Sequence, residues 1–107
     1  MGTQLLRMLE ARAMGGALAG LSPNARCALC VIALNARDTE TEHEPARTYF
    51  RGWDHLAAVA LGRYEYDRAA QEAVRRVIRE LTDAGFVKYA GRRHGLRTGL
   101  AMYELHL

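Results

Sequence analysis

The segment from Arg68 to Ala84 is the sequence feature that most constrains the fold. Placing its residues about 100° apart, the angular period of an α-helix, separates apolar from charged side chains. The apolar side consists of Ala70, Ala73, Val74, Val77, Ile78, Leu81 and Ala84. The opposite side consists of Arg68, Glu72, Arg75, Arg76, Arg79 and Asp83. We expect Asp67 to cap the first turn and Gly85 to end the helix in a left-handed conformation. The sequence therefore predicts an amphipathic helix with an arginine-rich solvent face.

A shorter helix is predicted just before this segment. Asp54 is expected to cap it, Trp53 to pack onto its first turn, and Gly62 to end it. Its apolar face would consist of Leu56, Ala57, Val59, Ala60 and Leu61. The polar segment RYEYD joins the two helices.

Two strand-like runs follow the long helix, from Phe86 to Tyr89 and from Leu100 to Leu107. The second run alternates, with Glu104 and His106 facing away from the apolar side chains. The segment from Lys88 to Arg97 carries Lys88, Arg92, Arg93, His94 and Arg97 and no acidic residue. The glycines of this segment allow a tight turn, so we expect a basic hairpin. Residues 48–50, TYF, predict a further short strand.

The apolar spacing resembles that of the winged helix-turn-helix domains of DNA-binding regulators and of phage and plasmid replication initiators. The resemblance rests on Leu56-Ala57 with Leu61-Gly62, then on Val74-x-x-Val77-Ile78-x-x-Leu81-x-x-Ala84-Gly85-Phe86-Val87. It implies that the second helix lies in the major groove and that the hairpin is a wing against the backbone or the minor groove. It also implies that the short strand pairs with the wing.

The interval from Gly62 to Val74 is longer than in the commonest members of these families. Either the turn is extended by Arg63 to Tyr66, or the recognition helix has an extra N-terminal turn.

Two further helices are predicted at the N-terminus. The first runs to about Leu18, where Gly15 and Gly16 weaken its end. The second begins with Ser22 as cap and Pro23 in the first helical position, and runs to about Arg37. Because this second helix is apolar nearly all round, we expect it to be covered on both sides, by the domain core and by the first helix of the same chain or of a second copy. The predicted division is an N-terminal helical extension, 1–21, and a winged helix-turn-helix domain, 22–107.

The length and the charge distribution fit one small DNA-binding domain. A chain of 107 residues can bury a modest core but not two independent ones. Residues 63–97 hold nine basic and five acidic side chains, whereas residues 38–62 hold two basic and five acidic ones. The basic surplus thus falls on the helix-turn-helix half. Residues 38–46 are expected to form an exposed loop.

Catalytic and metal-binding motifs are weak. Cys27-x-x-Cys30 lacks two further zinc ligands and lies inside an apolar helix, so we interpret both cysteines as small packed residues. The four histidines have no partner spacing typical of acid-base catalysis, and no phosphate-binding glycine loop precedes a helix. We expect no enzymatic activity, no metal and no cofactor.

The sequence therefore predicts a mainly α protein with a small antiparallel β-sheet that binds double-stranded DNA as a transcription regulator or replication-associated factor. The residues predicted to contact DNA are Arg63, Tyr64, Arg68, Gln71, Glu72, Arg75, Arg76, Arg79, Lys88, Arg92, Arg93, His94 and Arg97. The alternative is a winged helix used for protein contacts without specific DNA binding.

A homodimer is predicted through an apolar surface of Leu5, Leu6, Met8 and Leu9, with packing inside one chain as the competing account. No apolar run approaches the roughly 20 residues of a membrane span, and Arg7, Glu10 and Arg12 interrupt any signal-like stretch, so a cytoplasmic location is expected.

Overall fold

The computed structural model describes residues 3–36, 48–49, 51–93 and 100–107. These residues form four helices and a three-stranded antiparallel sheet, which confirms the predicted mainly α class with a small sheet. In chain order the elements are α1 (Thr3–Met14), α2 (Pro23–Asn35), β1 (Thr48–Tyr49), α3 (Trp53–Leu61), α4 (Arg68–Asp83), β2 (Val87–Arg93) and β3 (Leu100–Leu105). The predicted loop at residues 38–46 lies outside the described residues.

The sheet has the order β1-β3-β2, with β3 antiparallel to both neighbours. Tyr103 in the central strand pairs with Tyr49 on one side and Tyr89 on the other. The predicted alternation of β3 is confirmed, because Tyr103 and Leu105 are buried while Glu104 and His106 are exposed. The pairing of the short strand with the hairpin is confirmed for Thr48 and Tyr49, whereas Phe50 lies outside the described residues.

Strand β2 of the hairpin is longer than predicted and contains a bulge. Strand β2 continues to Arg93, four residues past the predicted end at Tyr89. The register shifts between Tyr89 and Arg92, and Gly91 within this interval has a φ of +96°. A bulge with glycine in a positive-φ conformation lets the strand continue after an extra residue.

Helix α2 begins as predicted, since Pro23 is its first residue and the Ser22 hydroxyl oxygen accepts a hydrogen bond of 3.2 Å from the Ala25 amide. One side of the helix is fully buried. That side comprises Ala25, Ala28, Leu29, Ile32 and Ala33. Within the chain the other side is not covered, because Cys27 and Cys30 are exposed and Leu34 is 44% exposed. The interpretation of both cysteines as packed residues is therefore wrong for a single chain, whereas cover from a second copy stays a prediction.

Helix α1 packs within the chain. It ends at Met14 rather than near Leu18, and Gly16 beyond it has a φ of +86°. Leu5 and Leu9 are only 2% and 3% exposed and belong to the same core cluster as α2, α3 and α4. Leu18 and Leu21, in the connection to α2, complete this contact.

Helix α3 differs from the prediction at its start. Trp53 is its first residue and Gly52 its N-cap, with a φ of +92° and no side-chain capping bond. Asp54 was expected to be the cap but lies in the first turn, where its charge still faces the positive end of the helix dipole. Leu56 and Ala57 are buried as predicted, whereas Val59 is exposed. Gly62 ends the helix with a φ of +69°, as expected.

Helix α4 has the predicted start. The Asp67 carboxylate accepts a hydrogen bond of 2.8 Å from the Ala70 amide. The buried side chains are Ala70, Val74, Val77, Ile78 and Leu81. Ala84, predicted to be apolar contact, is exposed. Because α3 ends at Leu61 and α4 begins at Arg68, Arg63 to Tyr66 lie in the turn, and residues 68–73 of α4 precede Val74.

The end of α4 is closed by two backbone hydrogen bonds. Gly85, with a φ of +85°, donates to the Thr82 carbonyl at 3.0 Å, and the Phe86 amide donates to the Leu81 carbonyl at 2.9 Å. This pair of bonds is the Schellman arrangement, in which a left-handed glycine satisfies the last carbonyls of a helix. The Phe86 carbonyl in turn accepts a bond of 2.8 Å from the His106 amide. Phe86 therefore joins the end of α4 to the end of the hairpin.

Candidate nucleic-acid interface

The solvent face of α4 is a row of exposed arginines. Arg68, Arg75, Arg76 and Arg79 are all exposed, on the side opposite the buried Val74 and its neighbours. Among the residues that the structure describes, Arg68, Arg76 and Arg79 have no ion-pair partner. Three guanidinium groups on this face are therefore available to an anionic ligand.

Arg75, unlike these three arginines, has side-chain partners within the chain. It forms an ion pair with Glu72, one turn earlier, and its guanidinium carbon lies 5.8 Å from the centre of the Trp53 ring. A cation over an indole face is attracted by the electron-rich ring. Arg75 is thus oriented by α3, while Glu72 offsets part of its charge. Gln71, on the same flank, is half-buried.

A group of aromatic residues joins α3, α4 and the sheet. The Trp53 Nε1 donates a hydrogen bond of 2.9 Å to the Tyr103 hydroxyl oxygen, and Tyr103 meets Tyr89 edge-to-face at 5.9 Å between ring centres. Burial and the Asp54 carboxylate raise the pKa of Tyr66, against the opposing effect of Arg75. We call Trp53, Tyr89 and Tyr103 the aromatic junction. It fixes the position of the hairpin base relative to α3.

Local sequence patterns do not predict the aromatic junction. They predict Trp53 only as a contact for the first turn of its own helix. The partner Tyr103 lies 50 residues away. The one available signal was the alternation of β3, which placed Tyr103 on the apolar side of that strand.

The turn between α3 and α4 carries Arg63, which lines a cleft beside α4, and Tyr64. Tyr64 is 87% exposed. The cleft has a volume of about 310 Å³ and lies between the start of α2, the end of α3 and the middle of α4. Its polar lining residues are Ser22, Asn24, Arg63, Arg76 and Glu80.

Glu80 links α4 to the start of α2 inside this cleft. One carboxylate oxygen accepts a bond of 2.7 Å from the Ser22 amide, and the other accepts a bond of 2.7 Å from the Ser22 hydroxyl. These two bonds lower the pKa of Glu80. Both oxygens of the carboxylate are therefore directed at α2 and not at the arginines.

The structure describes only part of the predicted wing. Lys88 is exposed and lies opposite Glu104 in the register. The backbones of Arg92 and Arg93 belong to β2, paired with Ala101 and Leu100. His94 and Arg97 lie outside the described residues. Among the described side chains of β2, Lys88 and its neighbour Tyr89 are thus both exposed.

The remaining chemically reactive groups are used in packing or lie apart from one another. The Tyr49 hydroxyl is 2.7 Å from Nδ1 of His55 and 3.3 Å from the Gly52 carbonyl. Burial and the nearby Arg51 lower the pKa of His55. Among the described residues, no three His, Cys, Asp or Glu side chains are grouped to hold a metal ion.

The residues predicted to form a dimer interface do not share one surface. Leu5 and Leu9 are buried in the core, and Leu6 and Met8 are partly buried against it. Leu5 and Leu9 thus have their cover inside the chain.

Comparison of the chain with protein-family models, with curated proteins and with solved structures gave no match. Within the described ranges, every helix is too short or too polar to cross a membrane.

Proposed function

We propose that this protein is a winged helix-turn-helix protein that binds double-stranded DNA through α4, as a transcription regulator or a replication-associated factor. The observation that carries the proposal is the exposed face of α4, on which Arg68, Arg76 and Arg79 have no ion-pair partner among the described residues. Three unpaired cations on one helix face can each neutralise a phosphate of a polyanionic ligand.

The order of elements supports the winged-helix assignment. Two helices separated by a turn, α3 and α4, are followed directly by the β2–β3 hairpin. The short β1 precedes α3 and pairs with β3, so that the sheet order is β1-β3-β2. This is the arrangement that the resemblance in apolar spacing implies, with α4 in the place of the recognition helix.

Two kinds of contact follow from this arrangement. An exposed arginine on a helix in the major groove can bond both O6 and N7 of guanine, which is worth about 1–3 kcal/mol of discrimination. Arginines and lysines at the edges neutralise phosphates and make affinity depend on salt, without reading sequence. We assign Arg68 and Arg79 to the first kind and Lys88, with the arginines of the hairpin, to the second.

The test is selection of bound sequences from a random duplex pool, followed by titration of a labelled selected duplex. We expect Arg68→Ala with Arg79→Ala to reduce discrimination between the selected and a scrambled duplex at least tenfold. The matched control is Arg7→Ala with Arg12→Ala, which removes the same charge from the exposed side of α1.

The control separates groove contacts from general electrostatic attraction. The control variant should weaken binding to the selected and to the scrambled duplex slightly and to the same extent. If the two double variants lose discrimination to the same extent, or if neither loses any, α4 does not read the groove. A wild-type protein that enriches no sequence would favour the alternative of a winged helix that contacts proteins.

A further inference from the structure

The cleft beside α4 is not needed for an arginine face to lie in the major groove. It lies on the flank of α4 next to α2, whereas Trp53 and the aromatic junction meet α4 at Arg75. Its volume of about 310 Å³ is at the lower end of the range for small-molecule sites, which suits a phosphate group with an attached sugar.

The charges in the cleft favour an anion. Arg63 and Arg76 enter it from two elements, the end of α3 and the middle of α4, and both are without an ion-pair partner in the described part of the chain. Glu80 is the single carboxylate among its described lining residues, and both of its oxygens are occupied by Ser22. The arginines therefore keep their hydrogen-bonding capacity for a ligand.

The apolar part of the lining strengthens this preference. Leu61, Ala73 and Val77 form the remaining wall, and Val77 is buried. Apolar walls exclude water from one side of the arginines, so that their interaction with an anion is less screened than on an open surface. Two planar guanidinium groups also match the oxygens of a phosphate by paired hydrogen bonds.

We propose that this cleft is a phosphate-binding site, in which Arg63 and Arg76 hold a phosphate group and Asn24 donates a further hydrogen bond. The phosphate has two possible sources, a phosphodiester of the DNA backbone or a free phosphorylated compound such as a nucleoside monophosphate. The first source rests on the proposed function; the second does not.

The first experiment follows the amide signals of the full chain by NMR during titration with inorganic phosphate and with a nucleoside monophosphate. Sodium chloride and sodium acetate at matched ionic strength are the controls. We expect saturating shifts of Asn24, Arg63 and Arg76 with the two phosphates alone. The variant Arg63→Gln with Arg76→Gln should abolish saturation, whereas Arg68→Gln with Arg79→Gln should preserve it.

Glu80→Gln provides an opposite test in the same titration. It keeps an acceptor for Ser22 but removes the one negative charge of the lining, so phosphate should bind several-fold more tightly. Shifts that also appear with acetate, that do not saturate, or that persist in Arg63→Gln with Arg76→Gln overturn the proposal.

The second experiment separates the two sources. If the DNA backbone supplies the phosphate, Arg63→Gln with Arg76→Gln should flatten the dependence of log affinity on log salt by up to about two units, relative to Arg7→Gln with Arg12→Gln. An unchanged slope together with saturating phosphate shifts assigns the cleft to a free phosphorylated compound. If the wild-type chain binds no duplex, the proposed function fails while the phosphate titration still decides the cleft.

Discussion

The Trp53 indole nitrogen donates a hydrogen bond of 2.9 Å to the hydroxyl oxygen of Tyr103 and thereby joins the first residue of α3 to the central strand of the sheet. Tyr103→Phe removes the hydroxyl oxygen and leaves the N–H of the half-buried Trp53 without this acceptor. We expect the free energy of unfolding to fall by about 1–2 kcal/mol, measured by urea denaturation.

The matched control for this variant is Tyr89→Phe. Tyr89 belongs to the same aromatic junction, but its side chain is exposed and its hydroxyl forms no hydrogen bond within the described residues. It should change the free energy of unfolding by less than about 0.5 kcal/mol. Equal losses for both variants would show that the Trp53–Tyr103 bond does not stabilise the protein.

Burial of Leu5 inside the chain gives a prediction that separates intrachain packing from dimerisation. Leu5→Ala should lower the free energy of unfolding by about 2–5 kcal/mol, because it leaves a cavity in the core. The loss should be the same across a hundredfold range of protein concentration, since the core belongs to one chain. Met14→Ala, at an exposed position of the same helix, is the control and should have little effect. A wild-type midpoint of unfolding that rises with concentration would instead support a dimer.

The contact between Glu80 and Ser22 predicts acid sensitivity. Hydrogen bonds from Ser22 hold the pKa of Glu80 in the folded state below its ordinary value of 4.5. The unfolded chain therefore binds this proton first as pH falls. The stabilisation is complete above the unfolded pKa and is lost as pH falls through the folded pKa.

The measurement is the free energy of unfolding of the wild type and of Glu80→Gln at a series of pH values from 7 to 3. Below about pH 4.5, the free energy of unfolding should fall further for the wild type than for Glu80→Gln. Parallel curves would mean that the Ser22 contact does not distinguish the charged from the neutral carboxyl group.

The exposed cysteines predict rapid modification of the native protein. Cys27 and Cys30 should both react with a maleimide or an aromatic disulfide without denaturant. Partial burial and the neighbouring Cys27 raise the pKa of the Cys30 thiol, which lowers its thiolate fraction. Since the burial of Cys30 remains when Cys27 is replaced, Cys30 in Cys27→Ala should react more slowly than Cys27 in Cys30→Ala at pH 7.5. Labelling that requires unfolding would restore the interpretation of packed cysteines.

Local signals predicted the parts of the fold that depend on neighbouring residues. Asp67 and Ser22 cap helices as expected, and Gly85 ends α4, because each of these features is decided within one turn of chain. The period of α4 also gave its buried and exposed sides. The same period predicted that the arginines of α4 in the candidate interface lie on its exposed side.

The errors arose where distant elements decide the outcome. The apolar period of α2 cannot show whether a second layer covers Cys27 and Cys30, and the structure leaves that side open. The contact of Trp53 with Tyr103 and the contact of Glu80 with Ser22 join residues at least 50 positions apart. The cleft depends on the second of these contacts, so periodicity within single elements could not reveal it.

The backbone of Phe86 couples the opening of helix α4 to the opening of the β2–β3 hairpin. Its amide closes α4 at Leu81, and its carbonyl accepts from His106 at the end of the hairpin. Both hydrogen bonds are held by the backbone of this one residue, so movement of Phe86 strains the helix end and the hairpin together. We therefore expect α4 and the base of the hairpin to open as one cooperative unit, and hydrogen exchange at the amides of Phe86 and His106 to give the same opening free energy.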